Sequence, residues 1–180
     1  MPRMMVQLAD VTCWNTEDIQ GADEFYIVGA IIASYGQQKI VRSVLTRPFS
    51  INDNQTVPFR LPPVFDAEVP DNWYLKFALT ALDEDSAKDW TKFEQANRAL
   101  ISAAEGAIGY AGGATIPALL ESVKWFIKQD QDDILGRHTE NWYPVRSFPH
   151  GWQLMTWPFS GGSTFYSNWN YQVRYWVGKW

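Results

Sequence analysis

One cysteine, Cys13, stands in 180 residues, so no internal disulfide can staple the fold. Histidine is nearly as scarce: His138 and His150 are the only two, and neither forms zinc- or iron-ligand spacing with Cys13. A Cys13/His138 nucleophile pair has no supporting motif either. The 15 Lys and Arg form no run and are outnumbered by 20 Asp and Glu, giving a formal charge of −5. Broad nucleic-acid binding, which needs several phosphate contacts from basic side chains, is therefore excluded. Residues 1–10 carry one basic residue but neither the apolar stretch nor the small-residue cleavage site of a secretory leader. A soluble chain is expected, cytoplasmic or exported without a cleaved leader. No Gly/Ser-rich linker and no internal repeat divides the sequence, so 1–180 reads as a single domain.

Against these absences stand 46% hydrophobic residues and 16% aromatics, ten of them Trp, enough large side chains to build a packed β-rich core. Strand patterns occur at 4–11, 24–33, 38–46, 55–61, 73–82, 142–148, 152–160 and 168–177, separated by Gly, Pro and Asn turn signals. The clearest alternation puts Trp73, Leu75, Phe77 and Leu79 on one face and Lys76 and Thr80 on the other. In the last segment Trp169, Tyr171, Val173, Tyr175 and Val177 oppose Asn170, Gln172 and Arg174. Many short strands between turn signals predict an all-β, eight-stranded antiparallel β-sandwich rather than a parallel α/β sheet.

One region departs from the β pattern. Trp90, Phe93, Leu100, Ile101, Ala104 and Ile108 recur at helical spacing, Gly112-Gly113 stops that helix, and Leu119, Leu120, Val123, Phe126 and Ile127 stripe a second one after Pro117. An inserted α-helical hairpin at about 86–129 is expected.

The negative charge is concentrated. Eleven of the 20 acids fall in three windows, 17–24, 83–89 and 130–133, where only Lys88 offsets them. Like charges packed this closely repel, so each window should lie in a solvated loop or share a counter-ion. The first two adjoin strand ends, and a helical hairpin whose ends meet brings Asp85 and Asp133 together. Calcium takes six to eight oxygen ligands from flexible loops and needs no nitrogen or sulfur; magnesium suits a many-carboxylate cage poorly.

These residues resemble the C2 domain family, in which aspartates on loops at one end of an eight-stranded β-sandwich bind calcium. Asp18 and Asp23-Glu24-Phe25-Tyr26 look like that family's first calcium loop, one residue shorter and with Glu24 in place of a frequent Pro. Asp83-Glu84-Asp85 and Asp133-Ile134-Leu135-Gly136 look like its third, separated here by the whole hairpin instead of a handful of residues. The resemblance implies one or two calcium ions held by Asp18, Asp23, Asp83, Asp85 and Asp133, with Glu17, Glu24 and Asp132 as second choices. It implies a binding module rather than an enzyme, joining a protein or phospholipid surface when calcium is bound. Lys39, Arg42 and Arg47 are the only comparable basic run for lipid contact.

Two alternatives remain open at this level. Six of the ten Trp lie from Trp142 onward, so a carbohydrate-binding sandwich using exposed C-terminal aromatics is one, with Trp176 and Trp180 expected to be the exposed ones. The other is a membrane-active hairpin: 99–120 holds a single charge, Glu105, although Gly112-Gly113 and Pro117 interrupt it.

Overall fold

The computed structural model describes residues 1–16, 22–84, 133–138, 142–164 and 167–180. The expected hairpin at 86–129 lies outside the described residues. Within them the strands are β1 (Arg3–Asn15), β2 (Asp23–Tyr35), β3 (Gln38–Leu45), β4 (Phe49–Ile51), β5 (Gln55–Pro58), β6 (Phe65–Glu68), β7 (Tyr74–Asp83), β8 (Asp133–His138), β9 (Trp142–Pro144), β10 (Gly151–Thr164) and β11 (Ser167–Lys179). One 3-10 turn, Val145–Ser147, follows β9.

All pairings are antiparallel, and they build two sheets. Sheet one runs β10-β11-β1-β5 with β6 also on β1; sheet two runs β3-β2-β7-β8 with β4 on β2 and β9 on β7. The fold is thus all-β, a sandwich of two antiparallel sheets. Eleven strands are described where eight were expected, the additions being β4, β6 and β8. Each is six residues or shorter, too brief for alternation to register. The expected strand at 142–148 ends at Pro144, where the ring removes a backbone donor and the chain turns.

The core lies between the sheets. Met4, Val6 and Leu8 of β1, Phe25, Ile27 and Ile31 of β2, Leu75, Phe77 and Leu79 of β7 and Tyr171, Val173, Tyr175 and Val177 of β11 interlock there. In β1 the parity of burial changes because the register to β11 shifts between Leu8 and Asp10, after which Val11 and Cys13 point inward. Strand β2 is buried on both faces: Tyr26, Val28 and Leu82 form a second cluster on its other side with Leu45 and Ile134. That explains its unbroken apolar run, which alternation alone could not orient. Pro158 is accommodated in β10 because that strand lies at a sheet edge.

Candidate functional site

The described residues of the acidic windows lie at strand ends on one end of the sandwich. Strand β1 finishes there at Asn15, β2 begins there at Asp23, β7 finishes at Asp83 and β8 begins at Asp133. Asp83 pairs with Phe25 on one side and stands directly opposite Asp133 on the other. Asp23 lies two residues beyond Phe25 on the same strand, opposite Ile51. Sheet pairing therefore puts Asp23, Asp83 and Asp133 at three adjacent strand ends. Glu24 is exposed at the same edge, and the Glu84 amide donates to its carbonyl at 3.1 Å.

Two of these acids do not lie in solvated loops, one of the two settings expected for the windows. Asp23 is fully buried and Asp83 is 5% exposed. Burial is tolerated because each accepts hydrogen bonds, which is what a desolvated carboxylate requires. The Glu24 amide donates to Asp83 Oδ1 at 2.6 Å, and the Tyr171 hydroxyl, arriving from the opposite sheet, donates to Asp23 Oδ2. Beside them Asp53 caps the end of β1: Thr16 donates to its Oδ1 from the backbone amide at 2.7 Å and from the hydroxyl at 3.0 Å.

Asp18, Asp85 and Asp132, like Glu17, lie outside the described residues. Among the described residues no group of three or more His, Cys, Asp or Glu side chains is placed to hold a metal ion. The acids at this end whose side chains are described, Asp23 and Asp83, offer oxygen atoms only.

Three residues that buttress this end carry no sequence signal. Tyr171 reads as one more inward aromatic of β11, Cys13 as a small hydrophobe of β1, and Asp53 as a turn residue. In the structure Cys13 and Tyr171 are cross-strand partners, and burial pushes the Cys13 thiol up to about 11. Burial, and then the bond to Asp23, drive the Tyr171 phenol far above its usual range. The result is a polar column, Cys13–Tyr171–Asp23, between the sheets in which the thiol and the phenol keep their protons, and a thiol in that state is a poor nucleophile.

His138 packs half-buried against the core. Its ring stacks between Phe77 and Trp157, with centroids at 5.3 and 5.2 Å, and Nε2 lies 2.9 Å from the Tyr175 hydroxyl. Burial lowers it to about 4 from the ordinary 6.5. The folded state thus resists protonation while the unfolded chain accepts a proton near 6.5, so stability is full above that value and falls as pH drops from 6.5 toward 4. The complete loss is on the order of 3 kcal/mol. Urea titrations across that interval should show the decline, and His138→Gln should flatten it; equal slopes in both proteins would refute the assignment.

Among the described residues no helix is long and apolar enough to cross a membrane. The expectation for the C-terminal aromatics holds in part: Trp157, Phe148, Tyr171 and Tyr175 are core and Trp176 and Trp180 are 39% and 47% exposed, but Trp142 and Trp152, at 43% and 44%, are exposed as well.

No protein-family model matches the chain, and no curated protein matches it. Among solved structures the chain is similar to a C2 domain of plant Extended Synaptotagmin 1, with 8% identity and a TM-score of 0.40 over 98% of this chain and 92% of that one.

Proposed function

We propose that the chain is a calcium-binding, C2-like β-sandwich module, not an enzyme, whose acidic end binds one or two calcium ions and thereby a protein or phospholipid partner. The observation that carries this reading is the ladder pair Asp83–Asp133, two acids directly opposite one another at adjacent strand ends. Acidic residues at adjacent strand ends supply the oxygen ligands that a hard cation takes. Asp23, at the neighbouring strand end, supports the same reading. Asp18 and Asp85, with Glu24 and Asp132 behind them, would complete the oxygen set. Bound calcium would supply the positive charge that lets a strongly acidic end approach an anionic surface.

Thermal unfolding in calcium and in EGTA tests it. A ligand at about a hundred times its dissociation constant adds about 2.7 kcal/mol, which for a chain of this size raises Tm by roughly 5 to 10 °C. Asp83→Asn and Asp133→Asn should each remove most of the shift. Superimposable melts in millimolar calcium and in EGTA would overturn the proposal, because even weak modules of this kind bind in that range.

A further inference from the structure

The opposite end of the molecule carries a second surface with different chemistry. On the outward face of sheet one, the rows read Trp152–Gly178–Met5, then Leu154–Trp176–Gln7, then Thr156–Arg174–Asp10. Trp152, Leu154, Trp176 and Trp180 are 44, 41, 39 and 47% exposed, a concentration of large apolar side chains that isolated surface residues do not produce. Gly178 organises them. A Cβ there would lie 2.2 Å from Trp180 and 2.8 Å from Trp152, so the missing side chain is what lets both indoles fold over the strand. They meet edge to face at 4.9 Å.

Between Trp152, Trp176 and Gln7 lies a depression of about 240 Å³. Its walls are two indoles, and its polar group is a single amide, which can donate and accept at once. The Gln7 Nε2 leans on the Leu61 carbonyl at 3.4 Å, which orients the amide. The flanking charges are cancelled in place. Arg3 is held by both carboxylate oxygens of Asp66 at 2.7 and 2.6 Å, and Arg174 by both of Asp10 at 2.7 and 2.6 Å.

We propose that this depression binds a neutral glycan, one sugar ring seated against the indoles of Trp152 and Trp176 with a hydroxyl on the Gln7 amide. A pyranose is apolar on its C–H face and polar around its rim, which is the complement of indole walls beside one amide. An acidic lipid surface would need unpaired cations, and both arginines of this face are already engaged. A protein partner would need a patch near 800 Å² per side, formed by about 20–30 residues, whereas the depression is lined by three side chains. The next row toward the acidic end, Thr156–Arg174–Asp10, would offer polar groups to a second sugar. This site is independent of the calcium reading and at the other end of β11.

Isothermal titration of the full chain with a panel of neutral oligosaccharides (cellohexaose, chitohexaose, mannohexaose, maltohexaose), in EGTA, tests it. At least one should bind with a dissociation constant between micromolar and millimolar. Trp176→Ala and Trp152→Ala should each weaken it by at least about tenfold, as loss of an anchoring aromatic does. Gln7→Leu, which keeps the indoles, should weaken it several-fold. Melting of each variant within a few degrees of the parent keeps the comparison on folded protein. If no member of the panel binds at millimolar concentration, or binding survives both Trp substitutions, the proposal is wrong. Trp-dependent sedimentation with phosphatidylcholine vesicles in the absence of sugar binding would likewise overturn it, in favour of a membrane surface.

Discussion

Gly29→Ala should cost about 2 to 6 kcal/mol, enough at the upper end to abolish stable folding. Gly29 sits in the middle of β2, between Leu79 of β7 and Val44 of β3, at a φ of 147° that residues with a Cβ rarely adopt. A Cβ built there lies 2.0 Å from the Ala78 carbonyl oxygen and 2.9 Å from the Leu79 Cα. Both are backbone atoms of the central strand of the second sheet, so relief requires parting β2 from β7 rather than rotating a side chain. Overpacking of this kind costs about 1–3 kcal/mol and the unfavourable φ about 1–3 more, about 2–6 kcal/mol together. Gly36 supplies the contrast. It occupies the two-residue turn joining β2 to β3 at φ 58° with open space around its Cβ position, so Gly36→Ala should cost only about 1–2 kcal/mol. Urea unfolding followed by tryptophan fluorescence separates the two. A Gly29→Ala protein within about 1 kcal/mol of the parent, by that measure, would mean the β2–β7 contact is far softer than described.

The contrast also marks what sequence alone conveys. Gly36 is legible as a turn glycine between two patterned runs, but Gly29 interrupts an apolar stretch with nothing to announce that a neighbouring backbone needs its space. The long strands β7 and β11 are legible because one face of each is core and the other is not, down to the exposure of Trp176. Strand β8 is not. Its six residues, Asp133 to His138, read as the tail of a calcium loop, because an acid followed by Ile-Leu-Gly carries no period and its partner β7 lies 50 residues upstream. The acidic end is therefore legible for a partly different reason than its construction supplies. Sequence clustering points to solvated loops, while the structure sets Asp23 and Asp83 inside strand ends, buried, and assigns their satisfaction to a backbone amide and a distant tyrosine. Pairings 148 residues apart, such as Asp23 with Tyr171, arise from the stacking of two sheets and leave no local trace.

That pairing yields the second large effect. Tyr171→Phe should lower stability by about 1.5 to 3 kcal/mol, more than removal of one hydroxyl from an exposed position. Tyr171 is fully buried and Asp23 with it, so the variant withdraws a donor from a carboxyl group that water cannot reach. The penalty is the desolvation of a buried acceptor that has lost one of its donors, which exceeds the value of the bond itself. Cys13, across the strand from Tyr171, is too weak a donor to replace it. Asp23→Asn paired with Tyr171→Phe should recover part of the loss, since an amide tolerates burial better than a carboxylate; a double-mutant cycle from urea midpoints measures this. The same variants separate two roles for Asp23. A carboxyl group that only joins the sheets would leave the calcium-induced rise in Tm intact once the lower baseline is allowed for, in Tyr171→Phe and Asp23→Asn alike. A carboxyl group that is also a ligand loses the rise in Asp23→Asn but keeps it in Tyr171→Phe, because the phenol holds one oxygen in place without being a ligand itself. The second pattern is the expected one. Loss of the calcium response in both variants would instead make the Tyr171 bond a condition for forming the site, with the acidic end assembled from the core outward.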